Sequence, residues 1–219
     1  MNTEFTIREQ NKLFTIELLS ANEPLMTSIA RSKQLAGATV TDDYKTIYFM
    51  ASSVKTFTQY RDDLIAVRRL GYESTLRMVS ALSNQLECLI KQYRKVFYLF
   101  SPDNLIVVND DKFIYVSSDH LVDVSPDDAT VVFTRPFSKI GGFVSPEILM
   151  IDTIPTEINL RTIYFGFGAL IVFCLLNTKI QTGDVEKAGF LDEIKGTKLY
   201  WFLMRCLNED QTKRCLLYI

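Results

Sequence analysis

The run Phe97-Tyr98-Leu99-Phe100-Ser101-Pro102-Asp103-Asn104-Leu105-Ile106-Val107-Val108-Asn109-Asp110-Asp111-Lys112-Phe113-Ile114-Tyr115-Val116 joins two textures of sequence. Its apolar arms Leu105 to Val108 and Phe113 to Val116 flank Asn109-Asp110-Asp111-Lys112, which is turn chemistry and predicts a β-hairpin. Ser101-Pro102-Asp103-Asn104 ahead of it reads as a loop. Upstream, Leu76, Val79, Leu82, Leu86, Leu89 and Tyr93 recur at steps of three and four, the stripe of a long amphipathic helix. Further back, Phe5-Thr6-Ile7 and Leu13-Phe14-Thr15-Ile16 alternate apolar with polar, Pro24 to Ala36 reads as helix, and Tyr44 to Met50 is rich in β-formers. From about Ser53 the texture turns helical, so a boundary near residue 50 separates a strand-rich segment, 1–50, from a mainly helical one, 51–219. Helices resume after Gly141-Gly142, and Leu199 to Leu207 is again amphipathic before a polar turn, Glu209 to Arg214. The expected class is α+β.

The composition narrows the functions. With 219 residues, 47% of them hydrophobic, the chain can bury a sizeable core, and its 9 Gly and 6 Pro argue against linkers and disorder. Twenty-four Lys and Arg against 26 Asp and Glu give no basic surface for a phosphate backbone, so nucleic acid is not the expected partner. Cys88, Cys174, Cys206 and Cys215 lie far apart in apolar surroundings, without zinc or redox spacing, and read as reduced core thiols. The opening Met-Asn-Thr-Glu-Phe-Thr has no basic stretch followed by an apolar one, so a cytoplasmic location is expected. A single histidine, His120, leaves little room for a histidine-rich metal site. Ile163 to Leu176 carries no charge, but a membrane span needs about 20 such residues. It reads as a helix buried on all sides, with a membrane anchor at 163–176 as the alternative.

The order of these pieces, together with several short motifs, resembles the protein kinase fold over roughly residues 44–219. Phe97-Tyr98-Leu99-Phe100-Ser101-Pro102-Asp103-Asn104 stands where that family has a catalytic loop of the form H-R-D-L-K-P-E-N, Ser145-Pro146-Glu147 where it has A-P-E, and Ile163-Tyr164-Phe165-Gly166-Phe167-Gly168 where it has a D-x-W-S-x-G helix. Cys206-Leu-Asn-Glu-Asp-Gln-Thr-Lys-Arg214 is similar to the family's late C-L-x-x-D-P-x-x-R. The resemblance implies two lobes, a small strand-rich N-terminal one over 1–50 and a mainly helical C-terminal one over 51–219. Degenerate chains of this compact kind are similar to kinase-like proteins of large DNA viruses.

The departures bear on chemistry. Protein kinases need a catalytic-loop aspartate, an asparagine and a D-F-G aspartate on Mg²⁺, a glycine-rich loop over ATP and a lysine on its phosphates. The resemblance puts Leu99 at the catalytic aspartate, and a leucine accepts no proton, where positioned general-base catalysis is worth about 10² to 10⁴ in rate. Asn104 is kept at one metal position. The D-F-G position falls within Ser117-Ser118-Asp119-His120-Leu121, where either Ser118 or Asp119 aligns with its aspartate. No G-x-G precedes residue 50, and Lys12, Lys33 and Lys45 all lack a V-A-I-K context. Leu99 and Ile163 replace two residues that are polar partners in the family, and losing both together avoids the cost of about 1 to 3 kcal/mol for one orphaned buried group. The implied ion pair of Glu147 with Arg214 is retained.

The expectation is therefore a pseudokinase, acting on other proteins by binding, with no catalytic or nucleotide-binding residues and no cofactor. The alternative is an atypical active serine/threonine protein kinase using ATP and Mg²⁺, with Asp103 or Asp119 as its acid group and Asn104 and Asp119 as metal ligands. Simpler readings exist for each residue. Ser-Pro-Asp-Asn is a turn on composition alone, Asp119-His120 has no nucleophile placed beside it, Ser145 caps the following helix, and Asp123, Asp127 and Asp128 form a solvated acidic loop.

Overall fold

The computed structural model describes residues 4–64, 68–127, 129–180, 189 and 191–214. Strands β1 (Phe5–Gln10) and β2 (Leu13–Leu18) form a hairpin whose turn uses left-handed Asn11 and Lys12. Helix α1 (Glu23–Arg31) follows, then β3 (Ala36–Val40) and β4 (Thr46–Met50), giving an antiparallel sheet in the order β1-β2-β4-β3. Asn22 Oδ1 accepts from the Leu25 amide to open α1, and Phe14, Ile16, Ile47 and Phe49 bury the sheet's inner face. The helix expected over Pro24 to Ala36 is shorter than its composition suggests. Ser32 Oγ donates to Ile29 O, Lys33 takes φ 58°, and the chain leaves α1 to form β3, whose Ala-Gly-Ala-Thr-Val gives no alternating signal.

Past residue 50 the chain first makes a three-residue strand, β5 (Val54–Thr56), then α2 (Phe57–Asp63), opened by a reciprocal capping box between Thr56 and Gln59. The long helix α3 (Tyr72–Cys88) runs into a π-turn, Leu89–Tyr93, and stops at left-handed Arg94. Its stripe is the core-facing one, with Val79, Leu82, Leu86 and Leu89 buried. Strand β6 (Lys95–Phe97) is followed by a 3-10 turn, Pro102–Asn104, and by the hairpin β7 (Leu105–Val108) and β8 (Lys112–Tyr115), whose turn places Asn109 and Asp110 at positive φ. β5 pairs with β7, so this hairpin is the core of a three-stranded sheet.

Four elements that composition does not announce come next: β9 (Leu121–Val124), β10 (Thr130–Phe133), the one-turn helix α4 (Pro146–Leu149) and β11 (Thr156–Asn159). They complete a second four-stranded sheet in the order β11-β10-β9-β6. Each strand has only four residues, too few for a period to register. Helix α5 (Ile163–Leu176) has the bounds of the uncharged run, and its residues Phe165 to Leu175 are all buried. At about 1.5 Å per residue it is roughly 21 Å long, short of the roughly 30 Å hydrocarbon core. Among the described residues no helix is long and apolar enough to cross a membrane. Helix α6 (Lys198–Cys206) packs on it, Cys206 and Leu207 filling the space left by Gly168. The architecture is mixed α+β, strand-rich at the N-terminal end and carrying its helices α3, α5 and α6 in the C-terminal part. Cys88 and Cys174 are free thiols, both pushed up by burial, and Cys206 is buried in α6. Cys215, the apolar run after it, and Asp128 lie outside the described residues.

Candidate functional site

The segment Phe97–Ser101 is a floor of core residues, and Ser101 at its end also lines a cleft. Phe97, Tyr98, Leu99, Phe100 and Ser101 are all buried, with Leu99 fully so. Two backbone ties hold it: the Tyr98 amide donates to His120 O at 3.0 Å, and Phe100 exchanges hydrogen bonds with Phe143 at 3.0 and 2.8 Å. A third comes from β8, where Tyr115 Oη accepts from the Ser101 amide at 2.8 Å and donates to Leu99 O at 3.1 Å. Burial raises the Tyr115 phenol far above its ordinary range and pushes Tyr98 up to about 12, so both hydroxyls stay protonated. Leu99 Cδ2 lies 2.4 Å from where a Cβ on Gly142 would sit, so the leucine occupies space that only a glycine neighbour leaves open. Ile163, at the start of α5, is also fully buried. Both positions are hydrocarbon packed in hydrocarbon.

Beyond this floor, Asn104 closes the 3-10 turn that Ser101 Oγ caps through the Asp103 amide. Its Nδ2 donates to Glu4 Oε1 at 2.9 Å. Glu4 leads into β1, and its carboxylate reaches across to the segment after β8. Ser117 Oγ lies 3.1 and 3.0 Å from its two oxygens, the Ser118 amide donates to Oε2 at 2.7 Å, and the Asp119 amide donates to Oε2 at 3.1 Å. His120 Nδ1 stands 3.8 Å from Glu4 Oε1 and is buried without a hydrogen-bond partner. Burial lowers the His120 pKa against the opposing pull of Glu4 and Asp119, so the ring is neutral at pH 7 and the approach is not an ion pair there. Asp119 itself is exposed, with its carboxyl raised by partial burial and then by repulsion from Glu4. The structure thus brings Asn104 and Asp119 to one place, held by a third residue that sequence reading left out. No local signal marks Glu4, because its partners lie 100 to 115 positions away.

Of these residues Glu4, Ser101, Asp103, Asn104, Asp119 and His120 line a cleft of about 1100 Å³ whose other wall comes from the first sheet. Phe5, Ile7, Phe14, Val54 and Ile140 supply apolar wall, and Thr56, Thr58, Gln59 and Ser138 supply neutral polar groups. The charged side chains are Glu4, Glu9, Asp103 and Asp119, and among the described residues no lysine or arginine lines the cleft. Lys12 and Lys33 sit in left-handed turns and Lys45 in the loop before β4, none of them on the cleft wall. Among the described residues no three His, Cys, Asp or Glu side chains are grouped to hold a metal ion.

A second constellation lies against α5. Ser145 Oγ accepts from the Ile148 amide and caps α4, which presents Glu147. Arg214 donates to both Glu147 oxygens at 2.9 Å, to Asn208 O at 2.6 Å and to Glu209 O at 3.2 Å, with its guanidinium 5.2 Å above the Phe165 ring. The Arg214 side chain is 0% exposed and that of Glu147 24%. Burial opposes ionisation of Glu147, but the Arg214 hydrogen bonds and charge, with backbone and Ser145 hydrogen bonds, together hold it below its ordinary value.

No family model matches the chain, and no curated protein matches it.

Proposed function

We propose that the chain is a protein kinase-like domain of two lobes that has lost phosphotransfer and acts by binding other proteins, a pseudokinase. The observation that carries this reading is the charge of the cleft: four carboxylates and, among the described lining residues, no cation. ATP arrives with three phosphates, and kinases neutralise them with a lysine, a glycine-rich loop and Mg²⁺. Here each phosphate charge about 8 Å from a carboxylate would cost about 2 kcal/mol at an effective dielectric of about 20. Carboxylates can hold Mg²⁺, but among the described lining residues no lysine or arginine is placed to meet the phosphates. Asn104, the retained motif residue, turns its amide nitrogen to Glu4, and Leu99 offers no base.

The order of elements supports the kinase-like part of the proposal. A four-stranded sheet with one helix leads to a long helix, a buried loop, a hairpin, a Ser-capped α4 and an apolar α5, with Glu147 tied to Arg214. What has become core is the loop that would react, and what remains polar and buried is the tie between α4 and the segment after α6. A scaffold with an intact frame and no nucleotide chemistry suits binding. The test is transfer of labelled phosphate from ATP with Mg²⁺ to the chain itself and to a mixture of protein substrates. No transfer is expected, and transfer that disappears in Asp119→Asn would establish an active kinase instead.

A further inference from the structure

Glu4 is held in an unusual way for a carboxylate with only 11% of its side chain exposed. Its hydrogen-bond partners among the described residues are neutral donors: Asn104 Nδ2 at 2.9 Å, Ser117 Oγ at 3.0 and 3.1 Å, the amides of Ser118 and Asp119 at 2.7 and 3.1 Å, and a marginal Ser118 Oγ at 3.5 Å. Successive backbone amides aimed at one point, backed by side-chain donors, form the concave dipole cluster that proteins use to bind anions. Hydrogen bonds to an ionised acceptor are the strong class. The receptor is rigid, because Ser117 is fully buried and its hydroxyl also accepts from the His120 amide at 3.3 Å. The occupant comes from a separate element. It precedes β1, an edge strand paired only with β2, and its own backbone is tied by the Leu19 amide to Glu4 O at 3.2 Å. Of the donor residues, Asn104 and Asp119 line the cleft of about 1100 Å³ together with Glu4 itself.

We propose that Asn104, Ser117 and the amides of Ser118 and Asp119 form a carboxylate-binding nest at the base of the cleft, filled in cis by Glu4 and able to take the carboxylate of a second molecule in its place. The resident ligand defines the chemistry: a planar monoanion with two acceptor oxygens, matched to donors on both sides. The carboxylates of Asp119 and Asp103 on the same cleft wall select against a phosphate dianion, and the apolar wall of Phe5, Ile7 and Phe14 accommodates the body that carries the acid. Such a carboxylate is either a free small acid or an acidic side chain of a partner protein. This site stands on the geometry of its donors and does not depend on whether the chain is a pseudokinase.

The test follows the amide resonances of Ser118 and Asp119 by ¹H–¹⁵N NMR in wild type, Glu4→Ala and Glu4→Gln, titrated at constant ionic strength with acetate, with a blocked Gly-Glu-Gly peptide and with inorganic phosphate. A tethered side chain presents an effective concentration on the order of millimolar or above, so acetate should shift both resonances saturably in Glu4→Ala at concentrations at least about tenfold below those that wild type needs. Glu4→Gln, which keeps the side chain's shape, serves if the alanine variant does not fold. Adding Asn104→Ala should remove the saturable shift. Tighter binding of the peptide identifies an acidic side chain as the ligand source, and equal or tighter binding of acetate identifies a free acid. Phosphate binding more tightly than either, or no saturable shift in a folded Glu4 variant, would overturn the proposal.

Discussion

Replacing Arg214 by alanine should be among the most damaging single changes available to this chain, and the structure sets the size of the loss. The guanidinium is fully buried, bidentate to Glu147 with both contacts at 2.9 Å, and bonded to the carbonyls of Asn208 and Glu209. Alanine would leave a carboxylate three-quarters buried without its cation, two carbonyl groups without donors, and a void beside Phe165. Breaking a buried pair from one side costs about 3 to 5 kcal/mol. For a chain of this length each kcal/mol lowers Tm by about 2 to 4 °C, so a drop of roughly 6 to 20 °C is expected. The control is Arg8→Ala. Arg8 meets Glu17 at the same 2.9 Å, but their side chains are 72% and 42% exposed, and such a pair is worth about 0 to 1 kcal/mol. Differential scanning fluorimetry of the two variants side by side separates burial from distance. A melting curve for Arg214→Ala within a degree or two of Arg8→Ala would refute the reasoning.

The same pair fixes a pH dependence. Because the folded-state pKa of Glu147 lies below its ordinary 4.5, its contribution is complete above that value and is lost as pH falls through the depressed folded value. Wild type should therefore lose stability on acidification below about pH 4.5 more steeply than Arg214→Ala does. Gly166→Ala should be destabilising although alanine is the better helix former by about 1 kcal/mol, since the new Cβ would stand 2.7 Å from Phe143 O, a backbone atom that cannot give way; a raised Tm would contradict this. Gln85→Leu should cost about 2 to 6 kcal/mol, because Gln85 bonds both the amide and the carbonyl of Tyr115 at 2.9 and 2.7 Å and each would be orphaned. Faster hydrogen exchange at Tyr115 is the direct readout. Leu99→Asp should lower Tm by an amount comparable with Arg214→Ala and confer no phosphate transfer, since the new carboxyl would be buried against Gly142 without a cation; a stable variant would show that this position is not core.

The elements legible in the sequence are those whose signal is local. The uncharged run 163–176 is α5 residue for residue, because a helix buried all round needs no periodicity to betray it. The stripe from Leu76 to Leu89 and the hairpin around Asn109-Asp110 are equally direct, one through its spacing and the other through residues that tolerate positive φ. The four-residue strands β9 to β11 and the three-residue β5 and β6 are stabilised by pairing partners elsewhere in the chain, and nothing in so few residues announces them. The mixed α+β class was therefore readable while the second sheet was not.

The cleft was legible only in part. Asn104 and Asp119 attract notice only through the resemblance to kinase metal positions, and the fact that the Asn104 side chain and the Asp119 amide both meet the carboxylate of Glu4 belongs to the tertiary fold. Gln85 shows the same limit: the apolar spacing of its helix does not single it out, yet its amide completes the hydrogen bonds of β8 from inside the core. Side chains that serve as surrogate backbone partners cannot be found by spacing, because the group they satisfy lies on another element.

The central claim is that the cleft binds no nucleotide, and a titration of the purified chain with ATP and Mg²⁺, read by Tm, tests it most directly. Ligand binding to the folded state raises stability by RT ln(1 + [L]/Kd), about 2.7 kcal/mol at a hundredfold excess over Kd. A flat Tm through millimolar nucleotide is the result expected of an acidic cleft without lysine or arginine on its described walls. A rise in Tm that follows the mass-action curve and requires Mg²⁺ would contradict it.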